Sequence, residues 1–179
     1  SIRSPSNTMP DSRYLSQFES RTPGSKRLFE RARTLTPGGL SHESRRTGPY
    51  PLYFAKAQGC RLWDVDGHPY IDLWMAHYDA ILGHAPAPVV EAVREALDNG
   101  LHLGVAVEQE LELARRVIDI VPSAEQVRFC SSGTEATMYA VRLARGYTGR
   151  NVMLKIVGGW HGANTDLMVD VRAPEFVGP

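Results

Sequence analysis

Between residues 126 and 162 the chain switches period twice, from strand-like to helix-like and back, with glycine-containing turns at the joints. Few folds accommodate that order. Residues 126–129 (QVRF) read as a short strand, and Ser131, Ser132 and Gly133 are small enough for a tight turn. Thr134 then opens a helix with apolar residues at Ala136, Ala140, Val141, Leu143 and Ala144, close to a period of about 3.6. Residues 151–157 (NVMLKIV) suit a buried strand and end in Gly158-Gly159-Trp160-His161-Gly162. With the helices predicted before it, this is the βαβ order of a parallel sheet.

The same stretch carries chemistry. The first N–H groups of a helix have no intrahelical partner and its dipole favours negative charge, so a Ser/Gly turn into a helix is an anion site. It is also an ordinary strand-to-helix turn, with Ser132 or Thr134 as N-cap and Glu135 as a first-turn acid. An aromatic–His pair just past a strand end lies where α/β sheets place ligands. Trp160 offers a ring face to a flat heteroaromatic ligand and His161 a hydrogen bond; the alternative is that Trp160 caps the core.

Upstream, residues 12–35 carry a helical pattern broken at Pro23-Gly24, with Ser25 as N-cap of its second part; residues 1–10 are Ser/Pro/Asn-rich and expected to be disordered. Pro37-Gly38-Gly39 ends the pattern and opens a loop with Ser41, His42, Arg45 and Arg46. Residues 52–55, 60–64 and 70–73 read as a small antiparallel meander, with turns near Gln58-Gly59 and at Asp66-Gly67. Amphipathic helices are predicted over 88–97 and 108–120.

The segments SSGTEATMYAVRLARGYTGR and KIVGGWHG, with TPGG, LWDVDGHPYIDL and LGHAPAPVVEAV before them, resemble the class III (fold type I) aminotransferases that use pyridoxal 5′-phosphate. The likeness runs from about Ser25 to Val169 and is nearest to the glutamate-1-semialdehyde 2,1-aminomutase and β-amino-acid aminotransferase branch. It implies an α/β fold, with the first part of a small domain over 25–100 and the start of a large, mostly parallel domain over 101–179; residues 1–24, before the likeness begins, read as a disordered or peripheral N-terminal arm. It implies that Ser132, Gly133 and Thr134 cradle the cofactor phosphate, that Trp160 replaces the family's usual Tyr or Phe as ring platform, and that His161 lies beside it. Ser41, His42, Arg45 and His77 fall where the family meets its substrate; an arginine there grips a carboxylate, or is a solvated loop residue. His77 and Tyr78 either contact the substrate or pack inside. The aminomutase branch typically reads PGGVNSPVR where this chain reads PGGLSHESRR, which weighs against that substrate.

The resemblance also implies an acid on the pyridinium nitrogen and a Schiff-base lysine, both well downstream of the GWHG turn. Lys26, Lys56 and Lys155 do not match that lysine, and Asp166 and Asp170 come too soon for the acid. The 179 residues are therefore expected to be the N-terminal part of a larger enzyme, inactive alone and without catalytic residues of its own. Its implied partners are an amino donor, a keto acceptor, the rest of the enzyme and a second subunit in a homodimer. The alternatives are an aminomutase-like isomerase and a non-catalytic half of a split enzyme.

Charge and cysteine content add exclusions. With 20 basic and 20 acidic residues there is no electrostatic case for nucleic acid or a membrane surface. Cys60 and Cys130 have no metal-type spacing and fit a reducing compartment. No apolar run approaches the ~20 residues of a membrane span, and no signal peptide is visible. A soluble, cytoplasmic protein is expected.

Overall fold

A computed structural model describes residues 12–100 and 103–169, in two compact units that divide after His102. The disorder expected over 1–10 and the residue Asp170 lie outside the described residues.

The first unit opens with α1 (Ser12–Arg21) and α2 (Pro23–Arg33), broken where the Pro23-Gly24 pair predicts. Pro23 takes the first helical position, where its lack of an N–H costs nothing. Ser25 is not the N-cap. Thr22 holds that position, and the cap comes from Asp66, whose carboxylate accepts from the N–H of Gly24 (2.7 Å) and of Ser25 (3.2 Å). Ser25 is fully buried inside the helix, and its hydroxyl accepts from the N–H of Tyr53 (3.0 Å).

Three antiparallel strands follow in the order β1 (Phe54–Gln58), β2 (Arg61–Asp64) and β3 (Pro69–Ile71), with Phe54 opposite Asp64 and Arg61 opposite Ile71. The β2–β3 turn is built on Asp64, 2 % exposed, which accepts from the N–H groups of Asp66 and His68, the Tyr70 hydroxyl (2.8 Å) and His68 Nδ1 (3.0 Å). Burial works to raise the Asp64 pKa, but these donors outweigh it and hold the carboxyl below its ordinary value. Burial and donation to Asp64 push the Tyr70 phenol up to about 12. After the sheet come a single turn, α3 (Met75–Tyr78), and the amphipathic helix α4 (Ala87–Asp98).

The second unit contains α5 (Glu108–Ile120) and α6 (Gly133–Thr148). The strands expected at 126–129 and 151–157 carry no ladder; no described segment lies in hydrogen-bonding register with either. A strand exists only through a neighbour, and the apolar side chains meant for a sheet stay open: Leu154 is 98 % exposed. No described helix is long and apolar enough to cross a membrane.

Candidate active site

The start of α6 is ordered by reciprocal capping. Ser132, in extended conformation, accepts from the N–H of Glu135 (3.2 Å), while the Glu135 carboxylate turns back to the N–H of Ser131 (2.8 Å). The N–H groups of Gly133 and Thr134 have no partner among the described residues, and a Cβ on Gly133 would meet no atom within 4 Å. The positive end of a 16-residue helix therefore carries two donors without a partner among the described residues, with open space beside Gly133.

The GWHG turn is fastened onto this helix end. Ala163 N–H donates to Thr134 Oγ1 (3.1 Å), which leaves the Thr134 hydroxyl proton for another acceptor. The Thr137 hydroxyl lies within 2.9 Å of the carbonyls of both His161 and Gly133 and accepts from Asn164 Nδ2 (3.2 Å). Gly162, at φ 98°, sits against the helix: a Cβ there would lie 2.7 Å from Thr134 Cα. Lys155 Nζ donates to the carbonyl of Gly159 (2.9 Å), closing the preceding bend. Lys155 is thus a backbone clamp in this structure. Arg145 donates to Asp166 (2.8 Å) and to the carbonyl of Asn151, tying the far end of α6 to the segment after the turn. The structure thus fastens the turn to the helix through Thr134 and through Thr137, whose hydroxyl meets the His161 carbonyl, and leaves Trp160 63 % exposed. Thr137, Gly162 and Asn164, which do the joining, were not singled out from sequence.

In the first unit, His42 and His77 meet edge to face, with ring centroids 5.9 Å apart. His42 Nδ1 accepts from the N–H of Ser44 (3.2 Å), so the proton of its neutral ring sits on Nε2. His77 also packs on Trp74 (4.9 Å), and Trp74 on Tyr78 (5.3 Å). Ser41 and Arg45 flank His42 and are exposed. His77 and Tyr78 are not buried in packing: Tyr78 is 68 % exposed.

The reason is an unusual backbone. Met75, Ala76, His77 and Tyr78 take φ of 45°, 53°, 63° and 71°, a full left-handed turn made without glycine. Each L-residue there costs roughly 1–2 kcal/mol, so the turn stores on the order of 4 kcal/mol or more. Asp72 supports its entry, with Oδ1 accepting from the N–H of Trp74 (2.8 Å) and of Met75 (3.0 Å). His84 Nε2 lies 2.6 Å from Asp72 Oδ2. The His84 imidazole first, and then the two amides, overcome burial and hold the Asp72 carboxyl below its ordinary value.

The chain is similar to the glutamate-1-semialdehyde 2,1-aminomutase of Methanopyrus kandleri, 48 % identical over 152 residues, covering 85 % of this chain and 35 % of that protein. Its structure is similar to that of a β-phenylalanine aminotransferase from Variovorax paradoxus, at TM-score 0.81 and 35 % identity, over 85 % of this chain and 35 % of that one. It is likewise similar to a transaminase with PLP bound, at TM-score 0.80 and 40 % identity, over 83 % and 35 %. The chain spans about a third of the length of the relatives it matches. Its architecture is part of fold type I of the pyridoxal-phosphate-dependent transferases, a partial α/β arrangement with a small antiparallel sheet. The class-III aminotransferase family model matches residues 42–175, and the chain belongs to that pyridoxal-phosphate-dependent family.

Proposed function

We propose that the full-length protein carrying this chain moves an amino group from a carboxylate-bearing amine, an amino acid or β-amino acid, to a keto acceptor, with pyridoxal 5′-phosphate as cofactor. The observation that supports this most is the start of α6. Gly133 and Thr134 present N–H groups with no partner among the described residues, and the Ser132 and Thr134 hydroxyls each accept from a backbone N–H and keep a proton to donate. That set suits a dianionic phosphate. Trp160 supplies an exposed ring face, and His161 is carried by the turn fastened to the cradle. In the first unit, His42 and His77 are assigned to orient the amine, and Arg45 and Ser41 to take its carboxylate. When bound, the cofactor supplies the electron sink that lets a proton leave the carbon bearing the amino group.

The share of the relatives covered supports a division of labour. In this reading the lysine that holds the cofactor and the acid on its ring nitrogen come from the part of the relatives' length that this chain does not span. In this reading residues 1–24 are an arm, 25–100 begin the small domain and 101–179 begin the large one, in a cytoplasmic homodimer.

The 48 % identity to an aminomutase favours a second reading, isomerisation of one substrate. Cofactor-loaded full-length protein separates the two. Transfer that requires both an amino donor and a keto acceptor supports the first, and turnover of glutamate-1-semialdehyde alone supports the second. Neither product from a cofactor-loaded, folded protein refutes both.

A further inference from the structure

The left-handed turn α3 contains no glycine, so something outside it must hold its shape. Its own closing bonds, Tyr78 N–H to Trp74 O (2.9 Å) and the N–H groups of Asp79 and Ala80 to Met75 O, do not by themselves fix its hand. The external hold runs through Asp72, which accepts from Trp74 and Met75 at the turn's entry. Asp72 is in turn met by His84 Nε2; a carboxylate only accepts, so Nε2 carries the proton. His84 is fixed by the sheet. It exchanges two backbone hydrogen bonds with Gly59 (2.9 and 2.8 Å), the first of the two residues between β1 and β2, and a Cβ on Gly83 would lie 3.2 Å from the Gly59 Cα.

We infer that Asp72 and His84 are a positioning pair. Their contact locks residues 75–78 into the left-handed turn and so sets His77 against His42. The inference rests on the reading that His42 and His77 face the substrate, but the hold on the turn is a property of the pair itself. Removing His84 frees one carboxylate oxygen and lets Asp72 follow its own rotamers, so the strained turn relaxes toward right-handed backbone. The competent arrangement then falls in population and the apparent affinity for the amine falls with it.

The test uses the full-length protein with His84→Leu, His84→Gln and the double variant His84→Leu/Ala76→Gly. In His84→Leu, amide hydrogen exchange over residues 74–78 is expected to quicken about tenfold while α6 is unchanged. KM for the amino donor is expected to rise about tenfold at unchanged cofactor content, with a smaller change in kcat. His84→Gln keeps a donor near the Nε2 position and restores both. Ala76→Gly makes one left-handed position inexpensive and partly restores both, which a general loss of structure would not allow. Wild-type exchange over 74–78 in His84→Leu overturns the pair's role, as does failure of both His84→Gln and Ala76→Gly to restore it. If the wild type moves no amino group, the functional reading alone fails, because exchange still decides the pair's hold on the turn.

Discussion

Replacing Gly162 with alanine tests how the GWHG turn is seated. The new Cβ would lie 2.7 Å from Thr134 Cα and 3.0 Å and 3.1 Å from the hydroxyls of Thr134 and Thr137. Carbon–carbon contacts settle at about 3.5–4.0 Å, so the turn must lift by about 1 Å, and the obstacle is helix backbone rather than a side-chain tip. The lift stretches Ala163 N–H to Thr134 (3.1 Å) and the Thr137 contact to His161 O (2.9 Å), each worth about 0.5–1.5 kcal/mol. Overpacking adds about 1–3 kcal/mol, and alanine at φ 98° adds its own strain. A total of about 3–8 kcal/mol against the seated turn follows. If the turn presents Trp160 and His161 to the cofactor, the dissociation constant for pyridoxal phosphate rises by about 100-fold or more. Gly149→Ala is the control: φ there is 67° with no atom within 4 Å of a Cβ, so it costs about 1 kcal/mol of stability and leaves cofactor affinity alone. Fluorescence titration of the full-length apo-protein, beside thermal melts, reads both quantities. A folded Gly162→Ala protein that binds the cofactor like wild type refutes the reasoning.

Other outcomes follow from the first unit. Asp66→Ala leaves the N–H groups of Gly24 and Ser25 without their cap and is expected to destabilise by about 1–2 kcal/mol in a denaturant melt, with kcat unchanged. Asp64 and Asp72 have depressed folded pKa values, so the stability they contribute is complete above the unfolded value of 3.8 and is lost as pH falls through the lower folded values. Tyr70 works the other way: its contribution is complete below 10.0 and is lost as pH rises toward about 12. A melting temperature that is flat through both ranges would contradict these networks.

The meander was legible because its signals are local: alternation, Asp66-Gly67, and a short loop at Gly59. Helix α5 also matches its reading, Glu108 to Ile120, since an amphipathic period bounded by a proline needs no distant partner. The N-terminus of α2 was misread because its cap is supplied by Asp66, 41 residues beyond Ser25. The strands on either side of α6 were legible as apolar runs but not as strands, because pairing is a property of two segments. The left-handed turn at 75–78 had no signal at all. Without glycine it depends on Asp72 and His84, and that tertiary support is invisible in the local sequence. The junction at Ser132 was legible as a turn into a helix. The fastening by Thr137, Gly162 and Asn164 depends on the packing of residues about 25 positions apart.

Comparing pyridoxal phosphate with pyridoxal on the same full-length apo-protein reads out whether the start of α6 holds the cofactor phosphate. Wild type and Thr134→Val are titrated side by side. Any attachment through the aldehyde is common to both ligands, so their difference isolates the phosphate. Wild type is expected to prefer the phosphorylated form strongly, and Thr134→Val to narrow the preference by about 10–100-fold, the loss of one charge-assisted donor. Equal binding of the two ligands, or a preference that Thr134→Val leaves intact, would contradict a phosphate site there.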